Sequence, residues 1–519
     1  MGFDWDRWWR ARRRGAKTAL KNLGIDKYWL LNKIERKESA IPHIFGVLML
    51  YMALALLFPC LVALWYGEDN RVWLYPLLLT LILGAGLVLR FKSPENTRPT
   101  EGLFVISIGW FVIVVIGAIP YVLSGMTPVD AIFETMSGFT TTGASIMTNI
   151  EAWPHSILFW RSFTQWLGGA GIIMIFVTIL PMLGVGGRSL AKGEFSALNV
   201  QNFSLRIREE SMKFHYIYGG LSVLQLALLL LTGIGVYDSF TVMFSTMSTG
   251  GFSPHTESIG FFHNPLVEWN VIVFMFLAGT NFYLHYHAIS TRDSKAYWRN
   301  SEFRTYVLII ASVTVIIFLI LWGGSLDNFE SNIRTSLFQV VSVITSTGFA
   351  SVDFALWSGS ALLLLLMVMV IGGSTGSTSG GLKVARLLMS REFVYAALYK
   401  TVHPRAMYYA RMDGRPVNEE MLSSLMAVVI CYMGTALFAT VALVLMGIDP
   451  MLSLSGSIST LSNCGPGLGA FGPMGSFAAV PELGKLVLTF TMWVGRLEFL
   501  AVLVILTPVF WRELLRYRE

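Results

Sequence analysis

Apolar runs of membrane-span length alternate with short polar stretches along almost the whole chain. Residues 44–65 and 72–89 come first, both without a charge, each close to the ~20 apolar residues that cross a bilayer as a helix. From residue 103 the pattern becomes a unit repeated four times: a span, an amphipathic helix too short to cross, a Ser/Thr/Asn stretch with a glycine, and a returning span. The first unit places these helices at 103–123, 130–138 and 157–180, and the second at 214–236, 239–246 and 267–287. The third has 303–322, 335–344 and 361–389, and the fourth 421–446, 452–460 and 486–509. The expected fold is an all-α polytopic membrane protein, with four span, pore helix, filter, span units around a central pore and a two-span packing hairpin before them.

The glycine stretches are FTTTGAS (139–145), FSTMSTGGFS (244–253), SVITSTGFAS (342–351) and STLSNCGPGLG (459–469). Their glycines, taken as Gly143, Gly250, Gly348 and Gly465, recur at intervals of roughly a hundred residues. Phe133, Phe240 and Phe338 each fall ten places before them, and Ser455 holds that place in the fourth unit. Non-helical backbone at this depth must be buried in protein or face water. Four copies around one axis meet that condition, and their carbonyl and hydroxyl oxygens can replace the water shell of a monovalent cation. Small-residue clusters also serve as loop turns or helix contacts; four copies in phase favour the ion path.

Composition agrees and adds orientation. With 54% hydrophobic and 13% charged residues, the chain is not a solvated globular domain. Cys60, Cys431 and Cys464 show neither pairing nor metal spacing. Lys and Arg crowd into 1–42, 90–98, 187–213, 291–304, 391–415 and 512–518, which the positive-inside rule makes cytoplasmic. The alternate connections carry Glu68, Asp69, Asp130, Glu151, Asp238, Glu257, Asp327, Glu330, Asp353, Asp449 and Glu482 against Arg71, Arg334 and Lys485. Counting crossings from a cytoplasmic N-terminus puts all four glycine stretches outside, with the C-terminus also cytoplasmic. The division is then a basic segment (1–43), the hairpin (44–92), repeat 1 (103–186), a loop (187–213), repeat 2 (214–290), repeat 3 (303–390), a loop (391–420) and repeat 4 (421–519). The basic segment mixes Trp and Arg, and reads either as an amphipathic segment on the inner leaflet, bound to membrane lipid, or as a basic tail.

The repeated pattern, with the segments TTTGAS, GPGLG, LHYHA, SEFR and LRIRE, resembles the superfamily of Trk, Ktr and HKT potassium transporters, and its bacterial TrkH/TrkG branch in particular. The resemblance runs from about residue 44 to the C-terminus. It implies potassium uptake across the bacterial cytoplasmic (inner) membrane. It also implies potassium bound by Thr141, Thr142 and Gly143; Ser248, Thr249 and Gly250; Ser346, Thr347 and Gly348; and Asn463, Cys464 and Gly465. Gly372, Gly373, Ser374, Thr375, Gly376, Ser377, Thr378, Ser379, Gly380 and Gly381 interrupt the third returning span, the one span expected to be broken. In the family this resembles an intramembrane gating loop; a packing kink is the other reading, and a phosphate-binding loop fails because no strand precedes it. Arg496 matches a basic residue beside the family's ion path, or pairs with helix carbonyls, and Glu498 lies two places on.

Other polar residues carry less. His285 and His287 suggest a metal pair, but their spacing puts them on different helix faces. Glu134 either attracts ions or bonds nearby backbone, and Lys383 is expected to reach the inner headgroups. The resemblance also implies a homodimer and a cytosolic nucleotide-binding subunit of the TrkA type docking on the basic loops. No nucleotide motif or other cofactor site appears in the chain, and no nucleic-acid partner is expected. Channel-like and proton-coupled (symport) transport are both compatible with the sequence. A polytopic enzyme on a lipid-linked substrate would need paired carboxylates or a metal cluster in a large loop, and a carrier with inverted repeats would need two broken helices.

Overall fold

The computed structural model describes residues 41–91, 99–183, 200–322, 328–403, 411–413, 415–417, 419–497 and 499–515. The expectations for residues 1–40 and 187–199 and for Glu498 lie outside the described residues.

Repeat 1 comprises α3 (Pro99–Leu123), α4 (Pro128–Phe139) and α5 (His155–Leu183), preceded by the hairpin α1 (Ile41–Tyr66) and α2 (Arg71–Arg90). Repeat 2 comprises α6 (Val200–Leu231), α7 (Val236–Met247), α8 (Pro265–Ala278) and α9 (Phe282–Thr291), and α10 (Lys295–Arg299) leads onward. Repeat 3 is α11 (Ser301–Leu321), α12 (Phe329–Ile344), α13 (Gly359–Ile371) and α14 (Val384–Val402). After a two-residue antiparallel pair, β1 (Arg411–Met412) and β2 (Arg415–Pro416), repeat 4 is α15 (Glu419–Leu445), α16 (Pro450–Leu461), α17 (Glu482–Arg496), α18 (Phe499–Ile505) and α19 (Pro508–Leu515).

Six described helices (α1, α2, α3, α6, α11 and α15) are long and apolar enough to cross a membrane, and the bent pair α8 and α9 would make a seventh span. Their outward faces expose Tyr51, Leu61, Val223, Ile430 and Leu437, an apolar girdle that suits lipid rather than water. The hairpin packs through its small residues: a Cβ on Gly46 would lie 3.0 Å from the Gly84 carbonyl, and one on Gly84 as close to that of Gly46. Glu68, in its turn, accepts the backbone N–H groups of His155 (2.6 Å) and Ser156 (3.0 Å) at the start of α5, where free amides and the helix dipole favour a carboxylate.

The short helices α4, α7, α12 and α16 are buried along their inner halves. Local chemistry starts two of them. Thr127 caps α4 and Asp449 caps α16, each followed by proline, which suits the first helical position because it has no N–H to leave unpaired.

Four expectations need correction. The second returning span is also broken: α8 and α9 meet at 92°, because Gly279 closes one helix and the Asn281 side chain caps the next by accepting the Tyr283 N–H at 2.8 Å. The last span pauses at Leu497 and again between α18 and α19. Residues 391–402, read as loop, continue α14, and α6 begins at Val200, well before residue 214.

Candidate functional site

Each short helix ends four residues before a glycine with positive φ: Phe139 before Gly143 (φ 81°), Met247 before Gly251 (76°), Ile344 before Gly348 (78°) and Leu461 before Gly465 (96°). Two residues before each glycine a non-glycine is also left-handed: Thr141 (52°), Thr249 (54°), Ser346 (53°) and Asn463 (53°). Such backbone is strained for Thr and Ser and persists only where its surroundings hold it. The holding bonds repeat. Thr142, Gly250 and Thr347 donate their N–H groups to Ser137, Ser245 and Ser342 at 2.8 Å, and Cys464 to Ser459 at 2.9 Å.

This register corrects the sequence reading in the second unit. The counterpart of Gly143 is Gly251, not Gly250, so the matching triplet is Thr249, Gly250 and Gly251, with Ser248 equivalent to Thr140, Thr345 and Ser462 at the helix ends. The ten-residue spacing then falls on buried Thr241, and Phe240 lies beside it.

The four stretches close into a ring. A Cβ on Gly143 would strike the carbonyl of Gly250, one on Gly251 that of Thr347, one on Gly348 that of Cys464, and one on Gly465 that of Thr142. Each glycine thus abuts the carbonyl before the next repeat's glycine, in the order 1, 2, 3, 4 and back to 1. All four glycines line one end of a cavity of about 180 Å³, together with Ser145, Thr148, His255 and Phe477.

The quadrants differ in how they are braced. Between repeats 1 and 2, Arg161 on α5 donates from Nε to Glu134 Oε1 at 2.8 Å, from its other nitrogens to the Ser253 carbonyl and Ser145 Oγ at 3.1 Å, and lies over the Phe252 ring at 4.2 Å. Glu134 also receives the Ile146 N–H at 3.0 Å, which settles its role as an internal partner. Gln165, one turn further, donates to the Gly250 carbonyl at 2.6 Å and accepts the Phe252 N–H at 3.0 Å. In repeat 4, Asn463 Nδ2 donates to Thr142 Oγ1 and to the Met492 carbonyl, both at 2.9 Å. The Cys464 side chain is fully buried, and its carbonyl faces Gly348 across the ring seam.

On the opposite side of the ring lies the glycine-rich segment Gly372–Gly381, with Gly372, Gly376 and Gly381 left-handed. The break in the second returning span receives it. Ser374 and Thr378 donate their N–H groups to the carbonyls of Gly279 (3.0 Å) and Ala278 (3.3 Å), and Phe282 N–H donates to the Gly376 carbonyl at 3.1 Å. Carbonyls freed at a helix end need such partners. The segment also touches the ring itself: Gly380 N–H donates to Ser346 Oγ at 2.5 Å, Thr249 Oγ1 lies 3.3 Å from Thr378 Oγ1, and a Cβ on Gly380 would strike the Ser462 carbonyl. Gly373, Ser377 and Ser379 are buried with it, and Thr375 is partly buried.

Arg496 closes α17 beside this segment and donates to the Thr378 carbonyl at 2.8 Å, while its Nε and second terminal nitrogen find no acceptor among the described residues. Lys383 does not extend to headgroups: it is 4% exposed and its Nζ donates to the Ser379 carbonyl at 2.7 Å. His285 fills the bend of the broken span, bonding the Leu277 carbonyl at 2.9 Å and the Tyr297 hydroxyl at 2.7 Å, and no group of three metal-binding side chains occurs among the described residues.

Arg161, Gln165 and the α8/α9 break were missed. Arg161 carried a signal in retrospect, since a charge inside an apolar span calls for a buried partner and Glu134 is another such charge.

A family model for TrkH, described as a cation transport protein, matches residues 74–511. The Trk system potassium uptake protein TrkH of Salmonella typhimurium is 34% identical over 481 residues, 91% of this chain and 99% of the relative, and that of Escherichia coli K12 is equally similar. The Trk system potassium uptake protein TrkG of Escherichia coli K12 is 30% identical over 479 residues, 91% of this chain and 98% of the relative. The crystal structure of the potassium transporter TrkH from Vibrio parahaemolyticus superimposes with a TM-score of 0.83 at 31% identity, covering 91% of this chain and 99% of that one.

Proposed function

Because this chain belongs to the TrkH family of cation transport proteins, we propose that it is the membrane subunit of a potassium uptake system, with the glycine ring as its selectivity filter. It belongs to a transporter family, and the reading as an enzyme on a lipid-linked substrate is not supported. The observation that carries the filter assignment is the closed ring, in which every glycine abuts a carbonyl of the next repeat. Potassium enters from the acidic face, exchanges water for the oxygens of Thr141, Thr142 and Gly143; Thr249, Gly250 and Gly251; Ser346, Thr347 and Gly348; and Asn463, Cys464 and Gly465, and moves inward. A membrane potential drives it with about 2.3 kcal/mol per charge per 100 mV.

The glycine-rich segment serves as the gate. Its contacts with Thr249, Ser346 and Ser462 put backbone directly under the ring. Arg496 supplies a fixed positive charge beside the exit, with two nitrogens free to contact the segment in another position. The chain works in a multicomponent Trk-type system in the inner membrane, with cytoplasmic termini, as a homodimer bound to a nucleotide-binding subunit of the TrkA type. The test is cation flux into liposomes bearing the purified protein with a matched regulatory subunit. Potassium and rubidium gradients drive flux and sodium drives less; no potassium-dependent flux would overturn the reading. Gly348→Ser abolishes the preference between these ions, and unaltered selectivity would overturn the filter assignment.

A further inference from the structure

Glu302 stands in the first turn of α11 and is 4% exposed, yet no Lys, Arg or His forms an ion pair with it among the described contacts within 4.0 Å. Its Oε1 instead accepts two backbone N–H groups, those of Thr375 at 2.5 Å and Ala385 at 3.2 Å. Thr375 lies in the first half of the glycine-rich segment and Ala385 in the first turn of α14 just past it, so one carboxylate oxygen fastens both limbs of the excursion. The position suits an anion, because the first amides of the 19-residue α14 have no helical partner. The residue before it, Ser301, donates its own N–H to Asp413 Oδ1 at 2.9 Å. Asp413 is the left-handed turn residue (φ 49°) of the β1/β2 pair.

We propose that Glu302 is the positioning residue that holds the gate across the base of the filter, and that Asp413 and Ser301 join it to the β1/β2 turn. This rests on the gating role proposed above. The β1/β2 pair lies in the stretch between α14 and α15, so displacement of that turn moves Ser301, and with it the carboxylate that fastens both ends of the segment.

The test is rubidium uptake into liposomes by the purified protein alone. Glu302→Ala frees two amides from a charged acceptor and raises uptake by roughly tenfold, the factor that corresponds to about 1.4 kcal/mol. Glu302→Gln keeps an acceptor oxygen and stays within about threefold of the parent protein, a rescue that a general loss of packing would not give. Ala385→Pro removes one donor in the first turn of α14, where the N–H has no helical acceptor to lose, and gives a smaller rise should Glu302→Ala fail to fold. The preference for rubidium over sodium is unchanged in all of them. Asp413→Ala also raises uptake, and the double variant with Glu302→Ala exceeds the single by little, since both act through one contact. Unchanged or lower uptake in Glu302→Ala and Ala385→Pro, or additive effects with Asp413→Ala, would overturn the link. Deletion of residues 375–379 separates the two ideas. If it raises uptake and Glu302→Ala does not, the link falls and the gate stands; if it too leaves uptake unchanged, the gate reading falls and the link with it.

Discussion

Arg161 and Glu134 form a charge pair whose side chains are 1% and 0% exposed, at the seam between the first two glycine stretches. Two desolvated charges add little net stability compared with apolar groups of the same shape, but leaving one alone costs about 3–5 kcal/mol. Here the pair's value lies in position, since Arg161 reaches both the Ser253 carbonyl of repeat 2 and Ser145 of repeat 1. Arg161→Met alone therefore lowers the thermal stability of the detergent-solubilised protein strongly and blunts potassium selectivity. The double variant Arg161→Met/Glu134→Gln recovers most of the stability without the selectivity. A double-mutant cycle on melting temperature, with rubidium against sodium flux on the same samples, checks both; additive stability losses would show that the two groups act independently.

At the scale of elements, the difference between adjacent Gly250 and Gly251 is informative. A Cβ on Gly251 meets the backbone carbonyl of Thr347 in a left-handed conformation, whereas the nearest atoms to one on Gly250 are those of the Gln165 side-chain amide. Gly251→Ala then costs about 1–3 kcal/mol of local strain and loses ion preference. Gly250→Ala is repaired by a second change, Gln165→Ser, and no side-chain change repairs Gly251→Ala. Flux selectivity of these three variants decides the register, and a Gly251→Ala protein with unaltered preference would argue against it. The sequence showed the alternation of span, short helix and glycine, because membrane burial enforces that periodicity. It did not show which of two consecutive glycines turns the chain, since that depends on where α7 ends. Nor did it show the break at Gly279–Asn281, where apolar residues continue on both sides; glycine followed two places later by a capping Asn was the available clue. In the fourth stretch Asn463 bonds to Thr142 and the Met492 carbonyl where the other three repeats have Thr or Ser.

For the whole molecule, charge placement and fold have to agree on one orientation in the membrane. On the face that holds the mouth of the proposed filter, the buried or half-buried cations Arg334 and Lys485 are matched: Arg334 with Glu268 at 2.9 Å and with Glu330, and Lys485 with Asp130 at 2.6 Å. In the proposed orientation the remaining acidic residues there would concentrate cations at the entrance. The proposed orientation places Leu356, 84% exposed between the third stretch and α13, outside, and Val402, 72% exposed at the end of α14, inside. Replacing the partly buried Cys60 and Cys431 by Ala leaves only Cys464, which is 0% exposed, as a native thiol. In that background a membrane-impermeant maleimide added to intact cells labels Leu356→Cys and spares Val402→Cys, while inverted vesicles give the opposite pattern. Labelling of both residues from the same side would be incompatible with this topology, because α13, the glycine-rich segment and α14 together carry the chain from one face to the other between them. The reversed pattern would place the mouth of the proposed filter in the cytoplasm and overturn the proposed orientation.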